Sequence, residues 1–174
     1  MVTDYRAFGM TVIGASHIKS GTVCQDFSLS CELPDRRISV VCDGHGGADY
    51  FRSDRGSRFA AEAFTECMKD PDVISVLSAA ATQKQQSGRI EQLIKSIIAR
   101  WNKLVERDIK EHPFSEDELS GISGKAQRRY ETGERLQSAY GTTLIGVILA
   151  ENFWLGLQIG DGKCVAVSKD GEFT

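Results

Sequence analysis

The first third of the chain carries the period-two pattern of β-strands. Residues 8–16 form one predicted strand, and residues 23–33 alternate clearly between apolar and polar side chains. A turn at Pro34 leads into a third predicted strand over residues 37–43. Because this connection is short, the last two strands are expected to pair as an antiparallel hairpin.

The middle of the chain has the spacing of amphipathic helices. Apolar positions recur at helical spacing over residues 51–67, and Asp70-Pro71 either ends that helix or caps a short following one. Residues 88–109 carry one apolar stripe over about five turns, which predicts a long helix packed on the core. Residues 112–138 are polar and dotted with glycine, so we expect a long excursion that is partly helical near residues 127–136.

The last part of the chain returns to strand patterns. Residues 142–149 and 152–159 are two apolar runs that predict a hairpin, and residues 163–168 predict a further strand. The order of strands, helices and strands favours an α+β domain in which helices lie over antiparallel sheets.

Composition and charge exclude several classes of protein. At 174 residues and 41% hydrophobic content the chain can bury a core, and its net charge of -3 offers no basic stripe for nucleic acid. No apolar run approaches the roughly 20 residues that span a bilayer, and the N-terminus lacks a signal-peptide pattern. Five scattered cysteines argue against a disulfide framework and a thiolate zinc site. We expect no nucleic-acid or membrane partner and a reducing, cytoplasmic setting.

The candidate chemistry is concentrated where the third predicted strand ends. Residues 43–47 are Asp-Gly-His-Gly-Gly. A carboxylate at a strand end, beside a backbone carbonyl and an imidazole, can hold a hard cation and offer a proton donor. The alternative is an ordinary turn in which Asp43 caps the following helix, because Asp and Gly are common turn residues.

Three further segments could converge on the same place. They are Asp26 on a predicted strand, Gly-Thr-Thr at residues 141–143 and Gly-Asp-Gly at residues 160–162. Three aspartates on strands are unusual, because a buried carboxylate is costly unless a cation or hydrogen bonds compensate it. A ligand set that consists only of oxygen atoms favours magnesium or manganese over zinc.

Together these motifs resemble those of the metal-dependent protein phosphatases of the protein phosphatase 2C family. The resemblance runs from about residue 8 to residue 169 and rests on residues 43–47, 141–143 and 159–163, with Gln25-Asp26 ahead of them. It implies an antiparallel β-sandwich flanked by helices. It also implies hydrolysis of phosphoserine and phosphothreonine in protein substrates by two bridged Mg²⁺ or Mn²⁺ ions, with an optional third.

The resemblance also implies a role for each matching residue. Asp43 would bridge the two ions, the Gly44 carbonyl would bind one of them, and Asp26 would hold metal-bound water. His45 would act with Asp43 in catalysis and protonate the leaving alkoxide, while Asp161 would lie near the third ion.

The chain departs from the family pattern in ways that leave a second hypothesis open. Gln25 stands where the family usually has a glutamate, and Gly21 stands where a phosphate-binding arginine is expected. His17 or Lys19 could bind the phosphate instead. The alternative function is a catalytically inactive, phosphatase-like binding or regulatory module. A metal-dependent phosphohydrolase of another fold is a third, more remote interpretation.

The resemblance further implies two aspartates in later Asp-Gly and Asp-Asn contexts. Asp170-Gly171 follows the preceding strand too soon and is expected to form a turn. We therefore interpret residues 1–174 as an incomplete domain, the N-terminal part of a single phosphatase 2C-like domain that lacks C-terminal strands and metal-binding aspartates. Such a fragment is expected to be inactive alone and to self-associate through open sheet edges.

Overall fold

A four-stranded antiparallel sheet forms the centre of the structure, and its strands are adjacent in chain order. The computed structural model describes residues 2–122, 124–167 and 170–171. The strands are β1 (Phe27–Leu33), β2 (Arg36–Cys42), β3 (Leu144–Ala150) and β4 (Trp154–Ile159). These ranges confirm both predicted hairpins.

The helices lie between β2 and β3 in the chain, apart from one near the N-terminus. The α-helices are α1 (Ala15–Ser20), α2 (Ser53–Lys69), α3 (Pro71–Ser78), α4 (Gln83–Glu111), α5 (Glu116–Ser120) and α6 (Gly124–Glu131). Short 3₁₀ helices occupy Val2–Asp4, Ala48–Tyr50 and Leu136–Tyr140. The α+β antiparallel class is therefore confirmed, and the strands of the described ranges form a single four-stranded sheet. None of the helices in these ranges combines the length and apolar content needed to cross a membrane.

The predicted strand over residues 8–16 is wrong. Residues 5–14 have no regular structure, and α1 begins at Ala15. This segment contacts β1 through side chains instead of a backbone ladder. The Ala7 amide donates to the Glu32 carboxylate at 3.0 Å, and the hydroxyls of Thr11 and Ser28 are 2.8 Å apart. Alternating side chains therefore do not guarantee a strand, and here Phe8, Met10 and Val12 remain exposed.

Three other boundaries differ from the sequence predictions. Residues 23–26 precede β1 as irregular chain, and residues 162–166 are irregular where a strand was predicted, with only an isolated bridge at Val167. Ser168, the last residue of that predicted strand, lies outside the described residues. The polar excursion contains more helix than expected, because Ser115 and Glu118 form a capping box that starts α5.

The main core lies between the sheet and the amphipathic helices α2 and α4. Ile38 and Ile148 of the sheet are fully buried against a cluster that includes Phe64 of α2 and Ile97 of α4. Each such side chain stabilises the fold by about 1.5–3 kcal/mol relative to exposure. This packing fixes α2 over the sheet, so that the start of α2 lies beside the end of β2.

A buried polar cluster joins the start of α2 to the excursion. Tyr140 is fully buried, and its hydroxyl donates to Asp108 Oδ2 at 2.6 Å while accepting from Arg52 Nη1 at 2.8 Å. Arg52 also donates to both carboxylate oxygens of Glu118, at 2.6 and 2.9 Å, and Arg55 donates to Asp108 at 2.9 Å. We name these five residues the Arg52 cluster. Every charge in it has a hydrogen-bonded partner, which buried ions require.

The Arg52 cluster also fixes the backbone that leads into β3. The Arg52 amide donates to the Ala139 carbonyl at 3.0 Å, so residues 139–141 are held against the start of α2. Residues 139–141, which lie next to Asp43, are therefore positioned by this hydrogen bond as well as by the start of β3.

Replacing Tyr140 with phenylalanine should lower the free energy of unfolding by about 1–2 kcal/mol, because a buried hydroxyl bonded to Arg52 and Asp108 is lost. Urea denaturation would measure the difference. Tyr5→Phe is the matched control, since Tyr5 is half exposed. Equal losses in the two variants would contradict a stabilising role for the cluster.

Stability should also fall at acid pH through Glu118. The hydrogen bond from Arg52 is the largest cause that lowers the pKa of Glu118 from 4.5 to about 2. A lowered pKa stabilises the fold above pH 4.5, and this stabilisation is lost as the pH falls toward 2. Glu118→Gln should therefore reduce the acid-dependent loss by on the order of 1 kcal/mol, after allowance for solvent screening.

Denaturant unfolding at several pH values would test this, with Glu116→Gln as a control on the exposed side of the same helix. An unchanged pH dependence in Glu118→Gln would contradict the assignment.

Candidate functional site

The end of β2 and the start of β3 hold Asp43 between them. The Thr143 amide donates to the Asp43 carbonyl at 2.8 Å, and the Asp43 amide donates to Thr143 Oγ1 at 3.2 Å. Thr142 Oγ1 also donates to the Asp43 carbonyl, at 3.0 Å. These bonds fix the Asp43 backbone, while the residue itself remains exposed. The two motifs at residues 43–45 and 141–143 are thus adjacent.

Gly44 allows a third segment to approach closely. A Cβ atom at Gly44 would lie 2.8 Å from the Ser53 carbonyl oxygen and would overlap the Gln25 carbonyl oxygen. No side chain fits there, and the residue is buried. The absence of a side chain brings the Gln25-Asp26 backbone next to the end of β2.

Asp26 and Asp43 consequently lie close to one another. Partial burial raises the pKa of Asp26, and the negative charge of Asp43 raises it further, whereas His17 acts in the opposite direction. Both aspartates line a cavity of about 440 Å³, which Asp161 also lines. The structure therefore brings the three candidate aspartates to one cavity.

The alternative interpretation of Asp43 as a helix cap is wrong. The next helix, Ala48–Tyr50, has Gly47 at its N-cap, and α2 has Arg52 at its N-cap. No side chain caps either helix. The Asp43 carboxylate is thus left facing the cavity.

His45 lies on a second cavity that shares walls with the first. Its amide donates to the Gly141 carbonyl at 2.9 Å, and its ring meets the ring of Tyr50 edge-on at 4.8 Å. Its buried Nδ1 atom has no hydrogen-bond partner among the described residues. His45, Asp43 and Asp161 line this second cavity, which measures about 570 Å³. An imidazole in this position can exchange a proton with a group bound beside the aspartates.

The two candidate phosphate ligands on α1 differ in position. His17 is partly buried and close enough to Asp26 for its charge to affect that carboxyl. Lys19 is exposed and lines neither of the two cavities that contain Asp43. Only His17 is therefore brought near the other candidate residues.

The donor set around Asp43 fits one hard cation. Asp26 and Asp43 supply adjacent carboxylates whose mutual repulsion a cation would relieve, and oxygen donors suit Mg²⁺ or Mn²⁺. Over residues 2–122, 124–167 and 170–171, no three His, Cys, Asp or Glu side chains form a closed metal cage. An ion held by these two carboxylates would complete its coordination with water, as Mg²⁺ commonly does.

Sequence reasoning missed two residues that position His45. Tyr50 contacts the imidazole ring, and no motif marks it. Gly141 was noted only as part of a motif, yet a Cβ there would lie 2.5 Å from His45 Nδ1 and 2.9 Å from the Tyr50 ring. The sequence signal that could have indicated this close contact was the glycine directly before Thr142 and Thr143.

Gly141→Ala should displace the His45 ring, because the added methyl group overlaps both rings. The chain has three histidines, so His45 can be followed by imidazole NMR. Gly46→Ala is the matched control, since a Cβ at Gly46 would meet nothing within 4 Å. Unchanged His45 signals in Gly141→Ala would contradict the proposed contact.

Comparison with known proteins identifies the family of the chain. A family model described as Protein phosphatase 2C matches residues 13–174. Neither a curated protein nor a solved structure matches the chain significantly. The matched range contains all four strands and every candidate residue from His17 to Asp161. The chain therefore belongs to the protein phosphatase 2C family.

Proposed function

We propose that the protein hydrolyses phosphoserine and phosphothreonine in protein substrates with the aid of Mg²⁺ or Mn²⁺. Membership of a protein phosphatase family supports the phosphatase part of the proposal. The main structural support is the meeting of Asp26, Asp43, Asp161 and His45 around two adjoining cavities. The serine/threonine preference and the metal requirement are inferred from the family resemblance and from the oxygen-rich donor set.

The aspartates and Gly44 would form the metal-binding part of the site. Asp43 and Asp26 would hold an ion together with the Gly44 carbonyl, and Asp161 would serve a further ion. When bound, divalent ions lower the pKa of coordinated water and neutralise charge on phosphoryl oxygens. The two threonines that fix the Asp43 backbone would keep its carboxylate in place during binding.

His45 would donate the proton that the leaving serine or threonine oxygen requires. Its ring borders the cavity that also contains Asp43, so a phosphate held there would lie beside the imidazole. Tyr50 and Gly141 restrict the ring, which favours one orientation for proton transfer. His17 would add positive charge near the phosphate. It would replace the family's phosphate-binding arginine, whose position Gly21 occupies in this chain.

A binding or regulatory module remains the second candidate function. Gln25 supports it, because an amide is a weaker partner for metal-bound water than a carboxylate.

Hydrolysis of p-nitrophenyl phosphate with and without Mn²⁺ tests the proposal, using protein from the full reading frame that encodes this chain. We expect Mn²⁺-dependent turnover, and Asp43→Asn should lower kcat by roughly a thousandfold, because several kcal/mol of charge stabilisation are lost. Asp49→Asn is the matched control, since Asp49 is exposed and lines neither cavity.

Full activity in Asp43→Asn would contradict the metal-binding role of Asp43. A folded wild-type protein that binds Mn²⁺ without hydrolysing p-nitrophenyl phosphate or phosphopeptides would favour the binding module instead.

A further inference from the structure

A third cavity opens beside His45 on the helical side of the sheet. Its volume is about 470 Å³, within the range of about 300–1,000 Å³ usual for ligand pockets. Most of its wall is apolar and is formed by Ala60, Ile97, Ile98, Trp101, Leu144 and Ile159. We name it the Trp101 cavity.

The Trp101 cavity is continuous with the candidate active site. His45, Tyr50 and Thr143 line both this cavity and the one that contains Asp43 and Asp161. A phosphate beside Asp43 would therefore lie next to residues that also line the Trp101 cavity. An extended chain advances about 3.3–3.6 Å per residue, so residues one or two positions from the phosphorylated residue are the ones that would lie nearest these shared lining residues.

Arg129 gives this cavity a charged side. Its guanidinium forms no hydrogen bond or ion pair within the described ranges and only approaches the Tyr130 ring, at 5.9 Å. Arg52 and Arg55, by contrast, both have carboxylate partners. A partly buried guanidinium with free donors is well suited to a carboxylate of a bound molecule.

We propose that the Trp101 cavity is a specificity subsite for the phosphoprotein substrate. It binds a large apolar side chain close in sequence to the phosphorylated residue, and Arg129 pairs with an acidic residue beside that side chain. The apolar wall disfavours a charged side chain in the interior of the cavity. Because the cavity is continuous with the one that contains His45 and Asp43, the substrate chain is the expected occupant. This inference rests on the proposed function for the position of the phosphate.

A second apolar cavity serves as an internal comparison. It measures about 580 Å³ and lies between α3 and α4, where Val73, Val76 and Leu93 are among its lining residues. It shares no lining residue with the cavities that contain Asp43. Size and apolar character alone therefore do not mark a substrate subsite here.

The test is direct binding of peptide analogues that carry a non-hydrolysable phosphonate in place of phosphoserine. One peptide has phenylalanine two residues before and after the phosphonate, and the other has glycine at both positions. Fluorescence anisotropy should give a Kd on the order of tenfold lower for the phenylalanine peptide, because an aromatic side chain is buried.

Ile98→Gln should remove most of this difference, because Ile98 is a half-exposed wall residue that can be changed without disturbing the core. Val76→Gln, a similarly exposed position in the comparison cavity, should keep the difference. Thermal unfolding of each variant shows whether it remains folded.

The charged part of the subsite is tested separately. A peptide with aspartate next to the phenylalanine should bind more tightly than its asparagine counterpart, and Arg129→Gln should abolish that preference. Arg128→Gln is the matched control, because Arg128 is exposed and lies outside the cavity. The preference should weaken as salt is raised.

Turnover of the corresponding phosphopeptides separates this inference from the proposed function. With protein from the full reading frame, phenylalanine-selective binding without turnover would support the subsite and contradict the phosphatase function. Turnover with equal Kd values for the two analogues, a preference that survives Ile98→Gln, or no binding of either analogue would overturn the subsite.

Discussion

The candidate site depends on the absence of a side chain at Gly44. The backbone there lies so close to the carbonyls of Gln25 and Ser53 that three distant segments meet at one point. Asp26 enters beside Asp43 because of this contact, and α2 begins at the same place. Two carboxylates forced together repel each other, and this repulsion favours a bound cation.

The core and the Arg52 cluster position residues 139–143, which contact Asp43 and His45 from the opposite side. The apolar core fixes α2 over the sheet, and the Arg52 cluster ties the start of α2 to residues 139–141. Gly141 then contacts the His45 ring, while Thr142 and Thr143 bind the Asp43 backbone. Removal of one partner from a buried charged cluster destabilises the fold, and an intact cluster can specify one arrangement of its elements. Here that arrangement places the imidazole beside the carboxylates.

The sequence predicted much of this organisation and missed the parts that depend on distant contacts. Periodic apolar patterns located the two hairpins and the long helix, because burial of one face determines those elements. The prediction over residues 8–16 failed because this segment forms no backbone ladder with β1, and its apolar side chains Phe8, Met10 and Val12 are exposed. Tyr50 and the pairing of Arg52 with Glu118, 66 positions away, leave no periodic signal. The three aspartates were found from motif and strand position, but only the structure shows which of them are close together.

Binding of Mn²⁺ to the protein, followed by electron paramagnetic resonance, tests the central claim most directly. The account predicts that the wild-type protein binds Mn²⁺ and that Asp26→Asn and Asp43→Asn each weaken binding by tenfold or more, on the order expected for loss of a charged ligand. The exposed variant Asp49→Asn should bind as the wild type does. Equal Mn²⁺ affinity in all four proteins would show that the apposed aspartates are not a metal site and would contradict the account.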